Sequence, residues 1–274
     1  MTRTVLITGG AGGIGSMLTD RAPRDGWRYV ILDRAGGPVT ARKDLRTVVG
    51  NITDRGVVRE AMRGVTDVIH LAALGQENLF ERIVEANLEG TRVVLEEARD
   101  AGVDRFVFAS SHHAVGFATQ SDAPVDGLPD DTEPRPDTYY GWSKASGEAM
   151  VRLFCERFGM IGVAWRIGHC FERPHSRERL PVWLSPADAR RFIDAALEND
   201  VDRFTYVWGV SANTRGWLSG EGARRIGYEP QDDSEDHAHL FEAGEADPAS
   251  PLGGDVTTTP LGERRCAPDD PPRS

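Results

Sequence analysis

Thr4-Val5-Leu6-Ile7-Thr8-Gly9-Gly10-Ala11-Gly12-Gly13-Ile14-Gly15 reads as a short β-branched strand, a glycine turn and the N-terminus of a helix continuing from Ser16 to Arg21. Placed between a buried-type strand and a helix, such a turn is a phosphate cradle. Gly9 permits the tight turn, Gly12 lets backbone N–H groups approach a pyrophosphate, and Gly15 allows close helix-to-strand packing. Gly13 and Ile14 belong to the same phosphate-facing turn, where the helix dipole favours negative charge. A dinucleotide is the ligand this pattern predicts.

The second strand, Arg28 to Leu32, ends in Asp33, placed where an acid binds the adenosine ribose hydroxyls of NAD. Arg34 follows, and a guanidinium there could hold a 2′-phosphate, so the cofactor is NAD or NADP. Beyond it, strand-like Thr47-Val48-Val49 leads to a helix ending at Met62, and Val65 to Leu71 forms the next strand. That strand closes with His70-Leu71-Ala72-Ala73, and the small residues suit a backbone passing close to a cofactor. A long amphipathic helix is expected over 80–101, carrying Asn87, followed by a strand over 105–109. Strands alternating with helices at this interval predict an α/β fold: a doubly wound parallel (Rossmann) sheet, with the dinucleotide domain at 1–166.

The strand at 105–109 empties into Ser110-Ser111-His112-His113, at the carboxyl edge of the sheet where such folds place chemistry. A loop rich in Pro and Asp then leads to Tyr140-Gly141-Trp142-Ser143-Lys144 at the start of a helix reaching Phe158. Four-residue spacing puts Tyr140 and Lys144 on one helix face. A free tyrosine titrates near ~10, so using it as a base near neutrality requires about 4 kcal/mol of help, which a neighbouring ammonium and a cationic cofactor ring can supply. After a strand over 162–167, residues 167–230 are expected to form a small C-terminal substrate lobe, interleaved with the first domain. It holds Arg173, Arg177 and Arg179, a helix start at Ser185-Pro186-Ala187-Asp188, a strand over 203–210 and a short helix over 219–226. From Gln231 to 274 the composition turns acidic and poor in large apolar residues, which predicts a flexible tail.

Thirty-two Lys and Arg against 43 Asp and Glu give a net charge of −11, which argues against nucleic acid or an anionic membrane as partner. Arginine supplies nearly all of the positive charge, since Lys43 and Lys144 are the only lysines, and this singles out the one beside Tyr140. The cysteines, Cys155, Cys170 and Cys266, are odd in number and show no metal spacing, which fits a reducing cytoplasm and no metal site. No signal-peptide pattern or membrane-length apolar run is present. A homo-oligomer is compatible with all of this.

Taken together, the T-G-x-x-G-x-x-G turn, His70-Leu71-Ala72-Ala73, Ser111 and Tyr140-x-x-x-Lys144 resemble the extended short-chain dehydrogenase/reductases. Residues 106–113 and 140–144, Arg166-Ile167-Gly168 and residues 207–213 look most like uronate dehydrogenases and their sugar 1-dehydrogenase relatives. The resemblance implies oxidation of a cyclic sugar at C1 to a lactone, with hydride transfer to the nicotinamide. It implies that Tyr140 is the base, that Lys144 lowers its pKa and holds the nicotinamide ribose, that Ser111 orients the substrate hydroxyl, and that Asn87 supports a water relay behind the lysine. Asn51 and Ile52 would flank the adenine, Asn51 standing where the family more often has Asp.

The substrate cleft departs from the uronate pattern at Gly75 and His169, where that pattern has serine, at His112, where it has asparagine, and near Glu178, where it has a carboxylate-binding arginine. Arg177 or Arg179 could supply the guanidinium after a one-residue shift, but an acid at Glu178 would repel a uronate. The sequence therefore tilts toward a neutral aldose, such as a pentose or galactose-like hexose. The rival readings are a nucleotide-sugar epimerase or dehydratase, disfavoured by the short stretch between Arg166 and the acidic tail, and a non-catalytic cofactor sensor, disfavoured by the intact Ser111, Tyr140 and Lys144.

Overall fold

The computed structural model describes residues 3–20, 24, 26–35, 43–242, 244 and 247–263. The helix end expected at Arg21, Cys266 and the last part of the acidic tail lie outside them. Seven parallel strands form one sheet in the order β3-β2-β1-β4-β5-β6-β9. These are β1 (Thr4–Thr8), β2 (Arg28–Asp33), β3 (Leu45–Val49), β4 (Asp67–His70), β5 (Arg105–Ser111), β6 (Ile161–Ile167) and β9 (Phe204–Gly209).

Alternation along the strands decides which layer each side chain enters. On β1, Val5 and Ile7 join one apolar cluster and Leu6 the other, and on β5 Val107 and Phe106 divide in the same way. One face is covered by α1 (Gly13–Asp20) and α6 (Pro186–Glu198), where Trp165 of β6 stacks on Phe192 with ring centroids 4.5 Å apart. The other is covered by α2 (Arg55–Ala61), α4 (Gly90–Ala101) and α5 (Tyr139–Phe158). This is the doubly wound architecture, and the strand order reverses direction between β1 and β4, where such sheets open a crevice.

Three departures from the sequence expectation have identifiable physical causes. First, the helix expected over 80–101 divides into α3 (Phe80–Ile83), a π-helical turn over Val84–Glu89 and α4. Asn87 sits in that widened turn, with its amide tied to both backbone groups of Leu74. Second, the strand expected in the small lobe is β9, which pairs with β6 and extends the main sheet. Val207 and Trp208 of β9 are buried on opposite faces, the two-sided burial of a sheet strand rather than of a lobe surface. Besides α6, the elements outside the sheet here are the short strands β7 (His169–Cys170) and β8 (Trp183–Leu184), a 3₁₀ turn over Arg177–Val182 and α7 (Glu221–Ile226).

Third, the acidic stretch is docked where it is described. The backbone N–H groups of Gln231 and Asp232 donate to the buried Asp188 carboxylate, and Ser234, fully buried, donates to the Leu180 carbonyl at 2.7 Å. Further on, Leu252 is buried, and the N–H groups of Leu252 and Gly253 donate to the carbonyls of Ala118 and Gly116 at 2.8 and 2.9 Å. Backbone hydrogen bonds of this kind leave no mark on composition. Among the described residues no helix is long and apolar enough to cross a membrane.

Candidate active site

A cleft of about 500 Å³ opens at the carboxyl ends of β1, β2 and β4, lined by Gly9, Gly12, Asp33, Arg34, Asn51, Ile52, Leu71, Ala72 and Ala73 among others. Gly9 has φ +71°, and a Cβ there would lie 2.7 Å from the Ala72 nitrogen, so a side chain would both strain the turn and press on the next strand. A Cβ on Gly13 would meet nothing within 4 Å, so the first turn of α1 faces open space, as a phosphate cradle requires. Ile14 follows in that turn, half-buried against the core. Gly15 is on the packing side, where a Cβ would be 2.5 Å from the Gly10 Cα. At the end of β2, Asp33 accepts from the N–H groups of Ala11 and Ala35, both at 3.0 Å, which ties the glycine turn to β2 and holds the carboxylate in the cleft. These groups fit a dinucleotide. Arg82, Glu85 and Ala86 also line the cleft, and the sequence reading missed them. Their three- and four-residue spacing on one helical face was the available signal, but it could not say what the face met.

The helix α5 carries Tyr140 and Lys144, the pair expected to react. Thr138 caps it by accepting from the Gly141 N–H at 3.0 Å, and the carboxylate of Glu77, itself buried, accepts from the Tyr140 N–H at 2.9 Å. The start of the helix is thereby pinned from two sides. Lys144, buried, donates to the Ala109 carbonyl at 2.7 Å, and its nitrogen lies 5.6 Å from the centre of the Tyr140 ring. Burial pulls the Lys144 ammonium down to about 8, against the opposing charge of Glu148. Burial pushes the Tyr140 phenol up to about 12; a hydrogen bond with Ser111 pulls it back, and the charge of Asp137 adds to the rise. In the protein alone, burial thus outweighs the pull of Ser111 on the phenol. Asn87 spends its amide on Leu74 and on the Ser143 hydroxyl, the latter at 2.8 Å, so it braces α5 against the end of β4.

On the other side of Tyr140 stand groups brought from separate segments. Ser111 ends β5 and its hydroxyl accepts from the His113 N–H at 3.2 Å. His112 is buried, its Nδ1 3.0 Å from the Ile167 carbonyl, so that nitrogen carries the proton and Nε2 is left as acceptor, 3.5 Å from Nη1 of Arg179. Burial and the nearby charges of His113 and Arg179 hold His112 well below the usual histidine range. Burial, with Arg179 and His175, takes His169 down to about 3, and its buried Nε2 has no hydrogen-bond partner. The charge of Arg179 thus bears on both His112 and His169. The Arg179 Nη2 lies 3.5 Å from the Gly253 carbonyl and 3.6 Å from the exposed carboxylate of Asp255. Arg177 instead donates to the Glu242 carbonyl at 2.8 Å, away from this group. Glu178 is exposed, and its hydrogen bond to Ser176 holds its carboxyl below the usual range. Gly75, the remaining departure from the uronate pattern, has open space around its Cβ position.

Residues 5–219 match the model of the NAD dependent epimerase/dehydratase family. The chain belongs to that family. A uronate dehydrogenase of Pseudomonas syringae pv. tomato is 32% identical, over 95% of each chain. An NAD-dependent glucose-6-phosphate dehydrogenase of Haloferax volcanii is 35% identical, over 85% of this chain and 95% of its own. Among solved structures, a tyrosine-to-alanine mutant of the uronate dehydrogenase of Agrobacterium tumefaciens, complexed with NAD, superposes with a TM-score of 0.83 at 28% identity, covering 96% of this chain and 99% of that one. The chain is an NAD(P)-dependent oxidoreductase acting on a CH–OH group.

Proposed function

We propose that the protein oxidises a free aldose bearing an anionic group, a hexuronate first, at C1 to the lactone, with Tyr140 as the base. The observation that carries this reading is the convergence of Arg179 with His112 and His169 beside Ser111 and Tyr140, while Glu178 is exposed. The tilt toward a neutral aldose depended on Glu178 facing the substrate; Glu178 is exposed, and the carboxylate beside Arg179 is instead that of Asp255, at 3.6 Å and itself exposed, which a substrate carboxylate would have to displace. An arginine at 16% side-chain exposure, flanked by two imidazoles kept neutral, is a well-placed partner for a carboxylate.

The C1 hydroxyl is held between Ser111, which orients its oxygen, and Tyr140, whose phenolate takes its proton as the carbon–hydrogen bond breaks. Bound dinucleotide supplies the hydride acceptor and, when oxidised, a positive ring. Lys144, fixed on the Ala109 carbonyl, holds cationic charge behind the tyrosine and so favours the phenolate that burial alone disfavours. Neutral His112 and His169 offer hydrogen bonds to sugar hydroxyls across the working pH range without competing for the substrate's charge.

The test is nicotinamide reduction by purified protein with NAD or NADP and a panel of glucuronate, galacturonate, glucose 6-phosphate, arabinose and galactose, with nucleotide sugars alongside. Reduction with a hexuronate is the expected result. Turnover of a nucleotide sugar, with no reduction by any free sugar, would falsify the reading and favour an epimerase or dehydratase.

A further inference from the structure

A buried carboxylate near Tyr140 has no step in the reaction above, and its charge opposes the phenolate. Asp137 has no exposed side-chain surface. Its Oδ2 lies 2.6 Å from Nδ1 of His113, and its Oδ1 accepts from the Thr138 hydroxyl at 2.9 Å. The space it occupies is cleared by glycines from three separate segments. A Cβ on Gly116, after β5, or on Gly253, in the C-terminal stretch, would stand 2.0 Å from Oδ2, and one on Gly141, in the first turn of α5, 2.8 Å from Oδ1. Putting a charge in such a place is unfavourable unless it is fully partnered, and an apolar side chain would fill the same space more readily.

What the carboxylate holds is the ring of His113, which meets the ring of Tyr140 edge-on at 5.8 Å and that of His112 at 4.1 Å. We propose that Asp137 is a positioning residue of the reaction: acting through His113, it fixes the orientation and the Nδ1–H form of an imidazole that braces Tyr140. A carboxylate oxygen only accepts, so a hydrogen bond at this distance requires the proton on Nδ1. Nε2 is then the ring's remaining polar atom. His112 is set the same way by the Ile167 carbonyl, so two adjacent imidazoles, each locked through Nδ1, stand between the base and Arg179. Asp137 serves the Tyr140 side of this row, and the Gly253 contact connects it to the segment that also touches Arg179.

The inference rests on Tyr140 being the base, and its tests separate from that reading. Nitrogen-15 NMR of the wild-type protein without sugar should show His113 protonated at Nδ1; a ring protonated at Nε2 alone overturns the proposal whatever the substrate proves to be. With whichever sugar is turned over, Asp137→Asn should lower kcat about tenfold or more and leave the dinucleotide Kd within about twofold, because the amide can present a donor to Nδ1 and reverse the ring's proton arrangement. His113→Asn removes the ring but keeps a donor toward Asp137, and the double variant should be no slower than His113→Asn alone. Additive losses in that cycle would overturn the proposal, as would an Asp137→Asn protein with reduced Tm but wild-type kcat. Should Asp137→Asn fail to fold, wild-type kcat in His113→Asn is the overturning result. Full turnover in Tyr140→Phe would refute the base assignment while leaving the NMR result standing.

Discussion

The two walls of the active site are built in different ways. The cofactor wall comes from a few short strand ends, and its working parts are mostly backbone, in the glycine turn after β1 and the small residues after β4, with the Asp33 side chain tying that turn to β2. The wall proposed for the substrate draws on His112, His169 and Arg179, with Gly253 from the C-terminal stretch, so each contact joins segments far apart in the chain. A wall made of backbone tolerates little change and takes one class of ligand. A wall made of side chains on turns can change specificity one residue at a time.

That contrast can be broken at measurable points. The largest effect is expected from Tyr140→Phe, which should cut kcat by about a thousandfold while the dinucleotide Kd, measured by fluorescence titration, changes little. Lys144→Met should also lose most turnover, yet melt at a higher temperature at pH 7. The sign follows from linkage. The folded protein holds the ammonium at about 8 against an unfolded value of 10.5, so below pH 8 folding carries the cost of burying a charge. That cost, roughly 3 kcal/mol, is relieved as pH rises from 8 to 10.5, where the unfolded chain binds more protons. Calorimetry of wild type and variant across this window checks it, and a variant that melts lower at pH 7 would count against the buried cation.

On the substrate wall, Arg179→Met should reduce the preference for hexuronate over neutral aldose, taken as a ratio of kcat/KM values, by about a hundredfold. An unchanged ratio would return the reading to a neutral sugar. The smallest effect belongs to Glu178→Gln, which should leave kcat/KM within about twofold because the side chain is exposed. A marked gain for uronates in that variant would show that Glu178 does repel them.

How much was legible follows the same division. The strand, glycine turn and helix of residues 4–20 declare themselves because a phosphate cradle needs particular residues at adjacent positions, and the strand–helix alternation declares the parallel sheet. Tyr140 and Lys144 are legible because one helix carries both at fixed spacing. Harder to read was anything depending on a distant partner. Glu178 and Arg179 are neighbours in sequence, yet only Arg179 faces His112. Asn87 lies on a helical segment as expected, but its amide is committed to Leu74 and Ser143, which its own neighbourhood does not reveal. Residues 231–242 and 247–263 look like loose tail by composition, and long-range backbone hydrogen bonds hold them in place.

The sequence by itself determined the sheet, the dinucleotide turn and the tyrosine–lysine pair, because periodicity, turn chemistry and helical spacing are local properties of the chain. Tertiary structure alone decided that β9 joins the sheet, that Arg179 rather than Arg177 meets His112, and that a buried Asp137 pairs with His113 beside Tyr140. Each of these depends on which distant backbone or charge a side chain meets, and local pattern carries no record of that.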